Sequence, residues 1–127
     1  MEKKQFTAVI PFFNEEKFLS QTIESFFLQE YQPSRLILID NGSTDSSLDI
    51  AKRYVPENQK IEIVILEEKR PGKIFALEQA VPYIQTEFVI FGDADTVYPP
   101  DFITVASELF EKLPEEYGAL LAIGKYG

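Results

Sequence analysis

The feature that most constrains the fold is a regular alternation of short apolar runs with longer segments of helical periodicity. The four runs are Phe6–Phe12, Arg35–Asp40, Ile61–Leu66 and Phe88–Phe91. Because they are apolar almost throughout, they are typical of strands that are covered on both faces. Strand–helix alternation repeated in this way predicts a mostly parallel sheet with helices on its faces. We therefore predict an α/β fold, a Rossmann-like three-layer sandwich.

The segments between the runs predict four helices and the start of a fifth strand. Asn14 is predicted to cap the first helix, with Glu15 and Glu16 in its first turn. Pro82 is predicted to kink or shorten the third helix, and Tyr117–Ile123 is predicted to begin another strand. The positions predicted to face inward are Leu19, Ile23, Phe26 and Phe27; Leu48, Ala51 and Val55; Ile74, Leu77, Val81 and Ile84; and Phe102, Val105, Ala106, Leu109, Phe110 and Leu113.

The charge and composition exclude several classes of function. The chain has 127 residues, which fits a single domain, and its 12 basic against 21 acidic residues give a net charge of −9. Such a chain offers no basic face to nucleic acid. It contains no Cys and no His, so catalysis or metal binding must rest on carboxylates. No apolar run approaches the roughly 20 residues of a membrane span, and we expect a cytoplasmic domain.

Polar side chains cluster where the predicted strands end. Ligands of parallel sheets bind beyond the carboxyl ends of the strands. The residues at those ends are Asn14 and Glu15, Asp40 and Asn41, Arg70 and Lys73, and Asp93 and Asp95. Their convergence predicts a binding site at this edge of the sheet.

Asp93-Ala94-Asp95 follows a strongly apolar strand and points to a divalent cation. Two carboxylates at this spacing repel each other unless a positive charge lies nearby. Mg²⁺ and Mn²⁺ prefer oxygen ligands, and they commonly take one or two carboxylates together with water and phosphate oxygens. The alternative is a solvated turn in which an aspartate starts the next helix.

The loop Asp40–Asp45 has both a structural and a functional interpretation. Asx, Gly and Ser/Thr residues are those that a strand-to-helix turn uses, and Asp45 is predicted to support the helix start. Asp40 and Asn41 stand directly on the strand end, where they could contact a nucleobase or a ribose hydroxyl. A plain turn remains the alternative for them.

The cluster Lys69–Lys73 is the dense basic segment of this acidic chain. It could neutralise a diphosphate above the sheet, with Lys73 as the best candidate, or its cations could simply offset Glu67 and Glu68. Of the neighbouring Phe12 and Phe13, either could stack on a base, and we predict that one of them belongs to the core.

Three motifs, in this order and spacing, resemble family-2 glycosyltransferases of the GT-A fold. They are Pro11-Phe12-Phe13-Asn14-Glu15, Ile39-Asp40-Asn41-Gly42-Ser43-Thr44-Asp45 and Gly92-Asp93-Ala94-Asp95. The resemblance extends from about Phe6 to Phe110. It implies a nucleotide-diphospho-sugar donor, Mg²⁺ or Mn²⁺, and inverting transfer of the sugar to a hydroxyl of a saccharide, a lipid-linked or another acceptor.

The resemblance also implies roles for individual residues. By position, Pro11, Phe13 and Glu15 are similar to residues that contact the nucleoside. Asp40 and Asn41 correspond to an Asp-Asp pair near the base and ribose, although the second position is Asn here. Asp93 and Asp95, with Ala94 between them, are similar to the D-x-D pair that faces the ribose and the metal-diphosphate, and Asp95 is the expected main metal ligand.

Family members are considerably longer than this chain, and this difference sets further expectations. We expect a donor-binding half, truncated relative to the family, whose acceptor side and general base lie beyond Gly127. A catalytically inactive nucleotide-sugar-binding module is the alternative. We also expect self-association through the apolar run Gly118–Gly124, and a full-length form that could be peripheral at the membrane.

Overall fold

The computed structural model describes residues 5–56, 60–112 and 120–122, in which strands alternate with helices. The strands are β1 (Phe6–Phe12), β2 (Arg35–Asp40), β3 (Glu62–Glu67), β4 (Phe88–Phe91) and β5 (Leu120–Ala122). The helices are α1 (Leu19–Phe27), α2 (Ser47–Arg53), α3 (Lys73–Ala80) and α4 (Phe102–Lys112). No helix in these ranges has the length and apolar character needed to cross a bilayer.

The strands form one parallel sheet in the order β3-β2-β1-β4-β5. β1 lies at the centre, with Phe12 opposite Asp40 of β2 and Val9 opposite Phe91 of β4. All three strands therefore present their carboxyl ends at the same edge of the sheet. The predicted α/β fold with a mostly parallel sheet is confirmed.

Successive residues of β1 face opposite sides of the sheet and enter two separate cores. The larger core contains Phe6 and residues from α1, α2 and α4, and the smaller core contains Val9 and residues from α3. In the larger core the centre of the Phe6 ring lies 5.3 Å from the ring centre of Phe88, 5.7 Å from that of Tyr31 and 6.1 Å from that of Phe110. Helices on both faces give the three layers that the sequence predicts.

The predicted start of α1 was wrong, because the helix begins at Leu19 rather than after Asn14. Asn14 has φ of 50°, a left-handed conformation outside any helix. The turn that follows is closed by the carbonyl of Glu15, which accepts hydrogen bonds from the amides of Phe18 and Leu19.

The predicted inward face of α3 was also wrong in part. Ile74 and Val81 are 72% and 62% exposed, and the buried positions are Ala76 and Ala80. The helix is short, and small side chains let its backbone approach the sheet closely. Pro82 lies in a short 3₁₀ turn directly after α3, as the prediction of a shortened helix requires.

On α4 the buried face is rotated relative to the prediction. Ile103, Ala106 and Phe110 are buried, whereas Val105 and Leu109 are about half exposed. Val55, predicted to lie inward after α2, is also exposed. Leu113 and Ile123 lie outside the described residues, and so do both ends of the predicted last strand. Its described part, Leu120–Ala122, pairs with β4.

The corrected face of α4 gives a direct test of the fold. Ile103→Ala should lower the free energy of unfolding by about 2–5 kcal/mol, because it leaves a cavity in a closed core. Leu109→Ala should change it by about 0.5 kcal/mol or less, as an exposed substitution does. Urea unfolding of the two variants measures both values, and equal losses would contradict the observed orientation of α4.

Candidate functional site

An open cleft with a volume of about 280 Å³ lies over the carboxyl ends of β1, β2 and β4. Its lining residues are Pro11, Phe12, Phe13, Glu15, Asn41, Lys73, Asp93, Ala94 and Asp95. Of the nine residues predicted to bind substrate or metal, eight therefore lie around one cavity, and Asp40 does not. Asn14 and Arg70, which were also predicted to converge at the strand ends, do not line it either. Phe12, which shared with Phe13 the prediction of stacking on a base, also contributes to the lining.

The two neighbouring phenylalanines separate as the sequence predicts. Phe12 is buried in the larger core, whereas Phe13 is 57% exposed at the cleft. Phe13 is thus the ring that is accessible to a bound ligand.

The loop after β1 is tied to the loop after β2 by hydrogen bonds around Asn14. The side-chain oxygen of Asn14 accepts a hydrogen bond of 2.8 Å from the backbone amide of Thr44, and the backbone amide of Asn14 donates to the Ser43 hydroxyl at 2.9 Å. One residue on, the amide of Glu15 donates to the Ser47 hydroxyl at 2.8 Å. Asn14 therefore joins two loops rather than capping α1, and the hydroxyls of Ser43 and Ser47 have a role that the sequence did not reveal.

Asp45 supports the start of α2, as predicted. Its carboxylate accepts from the amide of Ser47 at 2.9 Å and from the amide of Glu16 at 3.3 Å. Burial acts to raise the pKa of Asp45, but the hydrogen bonds from Ser47 and Glu16 outweigh it and hold the pKa below its ordinary value. The anion is therefore the form that the loop stabilises.

Asp40 is buried and shapes the turn rather than lining the cleft. Its carboxylate accepts a hydrogen bond of 2.9 Å from the amide of Ser43. Asp40 nevertheless lies between two lining positions, since it precedes Asn41 in the chain and pairs with Phe12 across the sheet.

Asn41 connects the end of β2 to the loop before α3. Its side-chain amide donates to the carbonyls of Glu68 at 2.9 Å and Arg70 at 2.8 Å. These hydrogen bonds tie the end of β2 to the loop that leads to Lys73. The position of Asn41 at the cleft wall is thus maintained by backbone acceptors.

The basic cluster divides into a structural and a cleft-lining part. Arg70 donates to the buried carboxylate of Glu68 at 2.7 Å and lies 4.4 Å above the Phe75 ring. Hydrogen bonds from the Arg70 side chain and backbone, and from Gln79, lower the pKa of Glu68 to about 2. Arg70 therefore offsets the charge of Glu68, which was one of the two predicted roles of this cluster. Lys73, in contrast, lines the cleft.

Lys73 forms an ion pair with the first aspartate of Asp93-Ala94-Asp95. Its Nζ lies 2.8 Å from Oδ1 of Asp93, and both side chains retain contact with solvent. A cation at this distance offsets the repulsion between the two carboxylates. The pair shows that Asp93 accepts a cationic group in this part of the cleft.

The backbone of Asp93-Ala94-Asp95 is held by two hydroxyl groups that the sequence did not single out. The amide of Asp93 donates to the Tyr98 hydroxyl, and the Thr22 hydroxyl donates to the carbonyl of Ala94, both at 2.8 Å. Burial raises the pKa of Tyr98, so its hydroxyl stays protonated at neutral pH. Thr22 lies among apolar residues on the inner face of α1, which is the one signal that the sequence carried.

The donor set fits a hard divalent cation only if a ligand supplies further oxygens. Within the described ranges, no group of three or more His, Cys, Asp or Glu residues is arranged to hold a metal. Asp93 and Asp95 lie on one short loop in the same cleft. Mg²⁺ and Mn²⁺ are commonly held by one or two carboxylates plus phosphate oxygens, and this arrangement suits such shared coordination.

The low pKa of Glu68 predicts how acid affects the loop before α3. A carboxylate whose pKa falls from 4.5 to about 2 on folding stabilises the protein above pH 4.5, and this stabilisation is lost as the pH falls toward 2. Glu68→Gln should therefore be less stable than the original chain at pH 7, and the difference should disappear near pH 2.

Thermal unfolding between pH 2 and pH 7 measures this difference. Glu108→Gln, which removes one negative charge from the exposed face of α4, is the matched control and should show no such convergence. A constant difference between Glu68→Gln and the original chain across this range would contradict the assignment.

Comparison with known families identifies one match over most of the chain. The family described as "Glycosyl transferase family 2" matches residues 7–125. One curated relative is a dolichyl N-acetyl-alpha-D-glucosaminyl phosphate 3-beta-D-2,3-diacetamido-2,3-dideoxy-beta-D-glucuronosyltransferase of Methanococcus voltae. It is 25% identical over 118 residues, which are 91% of this chain and 37% of the relative.

Solved structures with the same fold include ligand complexes. The mannosyltransferase PcManGT from Pyrobaculum calidifontis, in complex with GDP-Man and Mn²⁺, has a TM-score of 0.75 and 25% identity, over 86% of this chain and 32% of that one. Glucosyl-3-phosphoglycerate synthase from Mycobacterium tuberculosis, with Mn²⁺, UDP and glucosyl-3-phosphoglycerate, has a TM-score of 0.64 and 25% identity, over 80% and 37%. The chain thus spans about a third of the length of these proteins.

Proposed function

This chain belongs to glycosyltransferase family 2, and from that premise we propose that it binds a nucleotide-diphospho-sugar for transfer of the sugar to an acceptor hydroxyl. The proposal includes a divalent cation, Mg²⁺ or Mn²⁺, and inversion at the anomeric carbon. The acceptor is a saccharide, a lipid-linked or another hydroxyl compound. Structural neighbours bound to GDP-Man, or to UDP and Mn²⁺, support a donor of this class.

The observation that carries the proposal is the convergence of three strand ends on one cleft. Residues after β1, β2 and β4 supply an exposed ring, an amide and two carboxylates around the same cavity. These groups match the parts of a nucleotide sugar, which has a flat base, ribose hydroxyls and a diphosphate. A cation that joins the carboxylates to the diphosphate completes the match.

The nucleoside is proposed to occupy the side of the cleft formed by the first two loops. Phe13 offers the accessible ring surface, with Pro11 and Glu15 beside it. Asn41 lines the same cavity, and the neighbouring Asp40 is kept in the proposal as a contact to the base or ribose.

The diphosphate is proposed to lie against Asp93, Ala94 and Asp95, with Lys73 beside it. A divalent cation bound there would act as a Lewis acid that stabilises the charge on the departing nucleoside diphosphate. Asp95 is the proposed main protein ligand, and Asp93 the second. Lys73 pairs with Asp93 in this structure, and it is proposed to contact a phosphate oxygen when the donor is bound.

The deprotonation of the acceptor is proposed to depend on a carboxylate outside these 127 residues. Known relatives are about three times longer than the matched region, so the complete activity requires more than the donor cleft. The comparisons do not favour a catalytically inactive module, because the relatives are named as glycosyltransferases. A cytoplasmic location and self-association through residues 118–124 stay predictions.

Asp95→Asn should remove most of the Mn²⁺-dependent gain in nucleotide-diphosphate affinity, because an amide is a weaker ligand than a carboxylate for a hard cation. Calorimetric titration of UDP and GDP, each with and without Mn²⁺, measures this gain. Asp101→Asn, at an exposed position before α4, is the control for charge loss. An unchanged Mn²⁺ effect in Asp95→Asn would remove Asp95 from the metal site.

Lys73→Met should weaken binding of the better of UDP and GDP by about tenfold, the scale of one hydrogen bond from a charged group. Binding of the corresponding nucleoside, uridine or guanosine, should stay the same, because Lys73 is proposed to face the diphosphate. Lys69→Met is the matched control, since Lys69 is exposed on the loop that precedes α3 and does not line the cleft. Equal losses in the two variants would indicate a general charge effect instead.

A further inference from the structure

The loop that carries the two cleft carboxylates is fixed at two peptide groups by buried hydroxyls. The Tyr98 hydroxyl accepts from the amide of Asp93, which belongs to the peptide group before that residue. The Thr22 hydroxyl donates to the carbonyl of Ala94, which belongs to the peptide group before Asp95. Each aspartate is thus preceded by a peptide plane whose orientation is set by one hydrogen bond of 2.8 Å.

Both hydroxyls are held by their surroundings rather than by solvent. Tyr98 is 4% exposed, and its ring centre lies 4.9 Å from that of Phe26 and 4.8 Å from that of Phe102. Thr22 is fully buried on α1, and a β-branched side chain in a helix has few rotamers available. The two groups can therefore transmit the positions of α1 and α4 to the loop.

Gly92 provides separate support for a role of the Tyr98 hydroxyl. A Cβ atom at this position would lie 2.3 Å from the Tyr98 hydroxyl oxygen and 2.8 Å from Cδ1 of Ile10. Only glycine leaves room for the hydroxyl to reach the backbone where β4 ends. The strand end is thus packed around this hydroxyl group.

The far end of the same loop is attached to Gln29, two residues after the end of α1. Gln29 donates from its side-chain amide to the carbonyl of Pro99 at 2.7 Å, and its side-chain oxygen accepts from the amide of Ile103 at 3.0 Å. Thr22 on α1 holds one end of the segment between β4 and α4, and Gln29, just after α1, holds the other end. Displacement of the loop would break several buried hydrogen bonds at once.

We infer that Tyr98 and Thr22 are positioning residues that hold Asp93 and Asp95 in the geometry required for a divalent cation shared with a diphosphate. This inference rests on the proposed function. Neither residue lines the cleft, so each acts through the loop backbone and not by contact with the ligand. Groups that orient metal ligands in this way typically change metal affinity by about 10–100-fold when they are removed.

The test compares Tyr98→Phe and Thr22→Val with the original chain by titration of UDP and GDP, with and without Mn²⁺. The measured quantity is the ratio of the dissociation constants without and with Mn²⁺. Each variant should reduce this ratio by about tenfold, while metal-free binding changes little. Thr22→Ser keeps the hydroxyl and should restore the ratio.

Tyr54→Phe is the matched control for the loss of a buried tyrosine hydroxyl. Tyr54 is buried to a similar degree and donates to Glu24, away from the cleft. This variant should leave the Mn²⁺ ratio unchanged. Thermal unfolding of every variant identifies effects on folding, and Thr22→Val decides the test if Tyr98→Phe does not fold.

The possible results separate this inference from the function on which it rests. If the original chain shows no Mn²⁺-dependent binding of either nucleotide, the proposed function fails and this inference fails with it. If the original chain shows the effect and both variants keep it, only the positioning role is overturned. Equal weakening of metal-free and Mn²⁺-dependent binding would likewise overturn it, because that result indicates a structural role alone.

Discussion

Parallel pairing of β1 with β2 on one side and β4 on the other determines where every cleft residue lies. The pairing continues just beyond the strands, where the amide of Asn41 donates to the carbonyl of Phe12, and the amide of Gly92 donates to that of Val9. The residues that leave the three strands are therefore brought to one edge before any loop is formed. A slip of one residue in either pairing would reverse the faces of a strand and move these groups apart.

The loops at that edge are built by polar residues that satisfy backbone groups rather than by residues that face a ligand. Asn14, Asp40 and Asp45 all accept backbone amides in the loop after β2. In the loop after β4, Tyr98 accepts a backbone amide, and Thr22 donates to a backbone carbonyl. Because a buried backbone group without a partner is costly, these side chains restrict each loop to one conformation. The conformations of these loops in turn set the positions of the side chains that line the cleft.

The sequence predicted three of the strands at their observed bounds, because a central parallel strand is apolar on both faces and its ends are marked by polar residues. It also predicted that eight residues lie close together, and they line one cleft, since the carboxyl ends of parallel strands meet at the same edge of the sheet. It failed on α3, where periodicity of large apolar residues pointed to Ile74 while the sheet is contacted by Ala76. It could not find Thr22, whose partner Ala94 is 72 positions away and becomes a neighbour only when α1 packs on the sheet.

The charge of the cleft bears on the proposed binding of a cation together with a diphosphate. The described residues that line the cavity include three acidic side chains, Glu15, Asp93 and Asp95, and one basic side chain, Lys73. A diphosphate alone would add negative charge to this acidic surface, and a cation alone would find two carboxylates on one loop, one already paired with Lys73. When both are present, each neutralises charge that opposes the other. In the proposed complex, the cation and the diphosphate would therefore each favour binding of the other, while Lys73 offsets the charge of Asp93 alone.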